Sequence, residues 1–344
     1  MQSIARFFTA CILAASSAVS ALADQSAAIL LYHRFGEDDY PSTNIRLEQF
    51  DAQIKMMQES GYHFMKLGDL VAHLKANKSV PERTVVITVD DAYKSVALEA
   101  WPRLKRAGIP MTLFVATDAV DNATSNYMNW DDVRRLKAEG VEIGHHSASH
   151  LHMIDAGVKA AVEDVRKASA RFKAELGSVP PLIAYPYGEY NLELRKAMIA
   201  EGFEAAFAQV SGPAAIWSDP FSLPRFPVNE RYGEMDRFKL ISQAMALPVS
   251  DVAPLEPVLA EDRNPPVFGF TLDESVRGAS TLACYPSHMR EPAELIRLDG
   301  NRVEVRFEQP FPKGRARINC TLPAGGGRWY WHGQFFYIPG GELD

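Results

Sequence analysis

Apolar positions fall along this chain in two textures. From about residue 27 to 246, short runs rich in Val, Ile, Phe and Tyr alternate with stretches of helical period. The runs at 28–33, 85–89, 111–116, 141–145, 182–187, 205–210 and 224–228 are short and almost wholly apolar, as strands buried on both faces are. Between them, 47–60, 95–107, 130–139, 158–176, 192–201 and 235–246 carry apolar residues at helical spacing. Five of these stop at a glycine (Gly61, Gly108, Gly140, Gly177 or Gly202), the residue that most readily takes the left-handed turn ending a helix. Helix, glycine and apolar strand in repetition predict βα units and a parallel sheet. About seven such units in about 220 residues suit a βα barrel better than an open sheet.

Beyond Pro254 the helical period stops. Pro265-Pro266 opens alternating runs at 267–272, 281–285, 302–307, 316–321 and 328–338, separated by turn residues such as those at 299–301 and 323–327. This predicts a small antiparallel β-sandwich over 265–344, with 247–264 as a linker. Trp329, Tyr330, Trp331, Phe335, Phe336 and Tyr337 crowd the last run. Alternation puts one face of it in the sandwich core, and leaves the other open to a reading as a sugar-stacking platform.

The first residues read differently. Residues 1–23 carry one charge, Arg6, then an apolar run, then Ala21-Leu22-Ala23. That pattern predicts a cleaved export signal, hence a periplasmic or secreted protein with a barrel over 24–246. No later stretch approaches the length of a membrane span. Removal of the signal leaves Cys284 and Cys320, a disulfide candidate in an oxidising compartment, with two free buried thiols as the alternative. Composition narrows the class further. Of 344 residues, 47% are hydrophobic, enough for a proper core. A net charge of −7 argues against a nucleic-acid partner, which would need a basic face.

The chemistry sits where strands end. Asp90-Asp91 follows the run at 85–89, His146, Ser147 and His150 follow 141–145, Tyr185-Pro186-Tyr187-Gly188 lies at the end of 182–187, and His33 ends 28–33. Barrel enzymes carry their reactive groups on the loops after the strands. One carboxylate with two imidazoles makes a facial metal-binding set that leaves positions open for water and substrate. Each piece alone has a plain structural use. Paired aspartates cap helices, and Tyr-Pro-Tyr-Gly makes a turn. Their joint placement is what points to a metal site.

Taken together, TVDDAY (88–93), HSASH (146–150) and YPYG (185–188) resemble three motifs of the NodB-type polysaccharide deacetylases, carbohydrate esterase family 4. The resemblance covers about residues 27–245. It implies a distorted (β/α)7-type barrel and a divalent metal, usually zinc, with nickel, cobalt or iron as alternatives. It also implies hydrolysis of N-acetyl groups on polymers of N-acetylglucosamine or related sugars. Asp90 would then be the catalytic base, and Asp91, His146 and His150 the metal ligands. Tyr187, with Pro186 beside it, would face the substrate and give its backbone N–H to the oxyanion.

Three departures stand out. Ala92 takes the place of the family's glycine, and Ala184 that of an arginine that pairs with the base. Arg225 is the candidate to orient Asp90 instead. The family's closing Leu-x-His is missing after Arg225, but Leu31-Tyr32-His33 occurs at the start. This opening resembles the circularly permuted branch that includes exported poly-N-acetylglucosamine deacetylases, and it makes His33 the expected general acid. The partner implied is an N-acetylated polysaccharide or oligosaccharide. Two other readings stay open: a glycan-binding protein with a degenerate barrel, and an amidase acting on peptidoglycan or a non-sugar amide.

Overall fold

The computed structural model describes residues 25–122 and 124–341, so the stretch read as an export signal lies outside the described residues. The barrel wall consists of β1 (Ser26–Tyr32), β2 (Thr84–Val89), β3 (Met111–Val115), β4 (Glu142–His145), β5 (Leu182–Ala184), β6 (Ala205–Phe207) and β7 (Phe226–Pro227). From β1 to β6 each strand pairs in parallel with the next. Every residue of β1 and β2 is buried, which is why SAAILLY and TVVITV show no alternation. Leu223 bridges Phe207 of β6, and Phe226-Pro227 pairs in parallel with Leu30-Leu31 of β1. The last strand therefore meets the first, and the expected barrel is present.

Helices at Leu47–Glu59, Trp130–Ala138, Val158–Leu176 and Leu192–Ala200 lie close to the periodic stretches. Two stretches differ. The stretch at 95–107 divides into a π turn, Val96–Ala100, and a helix, Trp101–Ala107. Pro102 has no N–H to continue the α ladder there, and the wider turn absorbs the gap. The helix expected over 235–246 ends at Ser242, because Met245-Ala246 leaves it to pair with Tyr330-Trp331. Helices at Leu67–Lys75 and Thr117–Asn122 were not legible as periodic stretches.

The C-terminal region has β8 (Met245–Ala246), β9 (Val249–Ala253), β10 (Phe268–Leu272), β11 (Ala283–Pro286), β12 (Glu294–Arg297), β13 (Arg302–Arg306), β14 (Gly314–Gly325) and β15 (Arg328–Ile338). They form two sheets, β8-β15-β14-β11 and β9-β10-β13-β12. All pairs are antiparallel except β8 with β15. Phe268, Phe270, Val305, Ile318 and Phe336 fill the core. Cys284 lies opposite Cys320 across β11 and β14, and the two form a disulfide. The segment expected to be a linker contains β9, an edge strand whose Val249 and Val252 pack on this core. Its VSDVA sequence is too short and too polar to register as a strand.

The second face of β15 does not offer a sugar platform. Phe335 and Tyr337 are buried against Ala208 and Val210 of the barrel, and Trp331 meets Phe226 edge-on at 5.2 Å. The Tyr337 hydroxyl donates to the Asp155 carboxylate. These aromatics fasten the sandwich to the barrel, and they carry β14 with them to the barrel mouth.

Candidate metal centre and catalytic cavity

Parallel strands bring their C-terminal ends to one face. A cavity of about 1030 Å³ opens there, lined by His33, Asp90, Asp91, His146, His150 and Tyr187, and by Arg315 and Arg317 of β14. A smaller cavity of about 740 Å³ lies between barrel and sandwich, away from these groups.

Asp91, His146 and His150 converge. Their ligand atoms lie within 4.8 Å of one another, with Asp91 Oδ1 at 3.3 Å from His146 Nε2 and 3.2 Å from His150 Nε2. His146 Nδ1–H donates to the Ala184 carbonyl at 2.8 Å, which leaves Nε2 of the neutral ring as a lone pair facing Asp91. The Asp164 carboxylate, from helix Val158–Leu176, accepts the backbone N–H groups of Ala148 and Ser149 and the Ser149 hydroxyl. It thereby pins the loop that carries both histidines. Asp91 Oδ1 is buried and makes no hydrogen bond. A buried carboxylate oxygen left unbonded beside two imidazole nitrogens is a donor set that fits zinc or a similar divalent ion.

Asp90 is held from the opposite side. Arg225 grips both its oxygens, Nη1 to Oδ1 and Nη2 to Oδ2 at 2.8 Å each, and Nε donates to the Ala208 carbonyl at 3.1 Å. Both residues are buried, Arg225 completely. Burial acts to raise the Asp90 carboxyl. The charges of Arg225 and His146 and the arginine hydrogen bonds outweigh it, so the group titrates below the ordinary carboxylate range. Burial pushes the His33 imidazole below its ordinary value against the opposing pull of Asp91 and Asp90. His145, next to His146, points away from the cavity. It packs on Phe172 and Phe203, accepts the Ser147 N–H, and burial lowers it to about 3.

Local strain is concentrated here. Of the non-glycine residues with positive φ among the described residues, Asp91 (75°), Ala92 (58°), Ser147 (60°), His150 (55°) and Tyr187 (58°) all sit at this mouth. Left-handed residues of this kind persist where the surroundings force them, often at functional sites. Ala92 adopts a left-handed conformation that glycine would take without steric cost. Gly188 has no such latitude, since a Cβ there would fall 2.2 Å from the Gln209 backbone nitrogen. Tyr187 lines the cavity, while Pro186 is buried and does not.

Other residues join the site without a role assigned from the sequence. The His152 ring stacks on Tyr187 at 3.7 Å between centroids, and its Nδ1 lies 3.0 Å from buried Glu189. Arg315 and Arg317 arrive from β14, which begins at Gly314, 87 residues after β7 ends at Pro227. No local pattern signals such a contact.

Comparisons with known proteins agree with this fold. Residues 77–206 match the family model of polysaccharide deacetylases. The poly-beta-1,6-N-acetyl-D-glucosamine N-deacetylase of Staphylococcus epidermidis is 24% identical over 207 residues, covering 56% of this chain and 71% of that protein. Among solved structures, IcaB from Ammonifex degensii superposes with a TM-score of 0.56 at 23% identity, over 64% of this chain and 98% of that one. The Streptococcus pyogenes deacetylase PplD, solved with acetate, gives 0.56 at 20%, over 62% and 98%. Fold and site together define a metal-site βα barrel of the hydrolase class. More narrowly, residues 77–206 carry a polysaccharide deacetylase domain.

Proposed function

We propose that this chain removes N-acetyl groups from an N-acetylglucosamine-containing polysaccharide, using a divalent metal, with zinc the best fit, after export to the periplasm or beyond. The observation that carries the reading is the unbonded, buried Asp91 Oδ1 between two imidazole nitrogens, next to an Asp90 that Arg225 fixes by both oxygens. Asp91, His146 and His150 would hold the ion. Once bound, it supplies Lewis acidity that favours ionisation of water and polarises the acetamide carbonyl.

The chain's own groups do the rest. Asp90, ionised at neutral pH, accepts the proton of the attacking water, and Arg225 sets the plane of that carboxylate. The Tyr187 backbone N–H donates to the oxygen on which charge develops. His33 gives a proton to the sugar nitrogen, which leaves poorly without one. The products are acetate and a free glucosamine unit. No helix among the described residues is long and apolar enough to cross a membrane.

Acetate release from chitooligosaccharides, poly-N-acetylglucosamine and peptidoglycan, with and without a chelator, tests the proposal. We expect chelator-sensitive release from at least one of them. No acetate from any, or release that a chelator leaves untouched, would overturn it.

A further inference from the structure

We propose that the cavity also binds a carboxylate carried by a sugar unit adjoining the one deacetylated, through Arg317 supported by Arg315 of β14. The inference rests on the deacetylase reading above and narrows it to an acidic, N-acetylated glycan.

The strand's alternation explains the placement. Ala316 and Ile318 are fully buried in the sandwich, so Arg315 and Arg317 project from the other face, opposite Tyr337 and Phe335, toward the barrel. Both line the catalytic cavity. Arg315 is engaged there, with Nε 3.6 Å from Glu189 and Nη1 donating to the Tyr187 carbonyl at 3.5 Å. Arg317 is not. Its Nε is buried without a hydrogen-bond partner, and among the described residues no carboxylate lies within ion-pair distance of its guanidinium.

The carboxylates around the cavity are already occupied. Asp90 is gripped by Arg225, Asp118 by Lys167 at 2.6 Å, and Asp91 faces two imidazoles. Burial and the neighbouring Arg315 charge together depress the Arg317 guanidinium below the ordinary arginine value. A half-buried guanidinium whose Nε has no partner and which has a like charge beside it, offset only in part by the more distant Glu189, is suited to a ligand that supplies an anion. A guanidinium fork matches a carboxylate in two parallel hydrogen bonds. The carboxylate could come from a hexuronic acid or from the lactyl ether of a muramic acid, and both present the same group on a pyranose ring.

The test compares kcat/KM for acetate release from chitotetraose, from hyaluronan tetrasaccharide and from the disaccharide of N-acetylglucosamine and N-acetylmuramic acid. Equilibrium binding of the same three is measured alongside. One of the acidic substrates should exceed the neutral one by about tenfold or more, as a charge-assisted pair would give. Which of the two does so identifies the source of the carboxylate. That ratio should shrink as salt is added, approach unity in Arg317→Gln, and be partly kept in Arg317→Lys. Equal use of neutral and acidic substrates by the wild type overturns the proposal, as does a ratio that Arg317→Gln leaves unchanged. Should Arg317→Gln not fold, the salt dependence of the wild-type ratio and the Arg317→Lys variant decide. If no acetate is released but an acidic oligosaccharide still binds tighter through Arg317, the deacetylase reading fails and the anion site stands.

Discussion

Two histidines, one half-buried in the sandwich and one buried at the barrel mouth, mark how differently the two regions handle polar groups. His332 packs between Phe268 and Phe270 with no carboxylate beside it, and burial drives it down to about 4. Its environment favours the uncharged ring. His146 is buried more deeply, yet Asp90 and Asp91 beside it reverse the effect of burial and raise its pKa. The backbone shows the same division. In the sandwich region positive φ falls on Asp251 and Asn301, residue types that tolerate it, whereas at the mouth it falls on Ala92, Ser147, His150 and Tyr187 as well as Asp91. Burial alone does not make a site. Buried groups that oppose one another, held in strained loops by a rigid wall, do.

The contrast can be broken at the mouth first. Asp90→Asn should lower kcat by about 10²–10⁴-fold while bound metal stays at the wild-type level. Loss of both together would make Asp90 a ligand. His33→Ala should lower kcat by about 10²-fold or more with metal retained, and full turnover would remove it from the mechanism.

Arg225→Gln tests whether the mouth is held by opposed charges. It leaves Asp90 buried without its fork, so denaturant unfolding should show a loss of about 3–5 kcal/mol. A pH effect accompanies it. Because the native Asp90 pKa is depressed, its stabilisation is present above the ordinary carboxylate range and lost as pH falls through the lowered native value. With the arginine gone, burial is opposed by imidazoles alone, so the acid limb of kcat/KM should move to higher pH. An unmoved limb would mean that Arg225 does not set the ionisation of Asp90.

Smaller changes sharpen the other side. Replacing Cys284 and Cys320 together by serine should cost the sandwich about 2–4 kcal/mol in thermal or denaturant unfolding, with metal binding at the barrel retained. Ala92→Gly should raise stability by about 1 kcal/mol, since glycine occupies the left-handed region without strain. A loss on that change would show that the methyl group, buried here, packs for more than the strain it brings.

Much of this was legible before any coordinates. Apolar runs ending in polar residues gave the wall and its mouth, since a strand buried on both faces leaves no other pattern. Asp90, Asp91, His146, His150 and His33 could be placed at the mouth because each lies within five residues of a strand end. Arg225 could be read only through the absence of an arginine at Ala184, and its two hydrogen bonds to Asp90 were found where that reasoning put them. What stayed hidden depends on distant contacts. β9 is an edge strand too polar to announce itself, Asp164 reaches its loop from a helix face, and Arg317 is brought to the cavity by aromatic packing between two regions. The supposed sugar platform failed for the same reason, because alternation shows that a face is apolar but not what covers it.

In the proposed mechanism adjacent aspartates divide the work, Asp91 holding a metal and Asp90 the proton. Elemental analysis of the wild type and of Asp91→Ala, each dialysed after exposure to zinc, tests it most directly. The wild type should retain about one ion per chain, as a site with open positions for catalysis would, and Asp91→Ala close to none. A wild type without metal, or an Asp91→Ala variant that keeps its full complement, would contradict it.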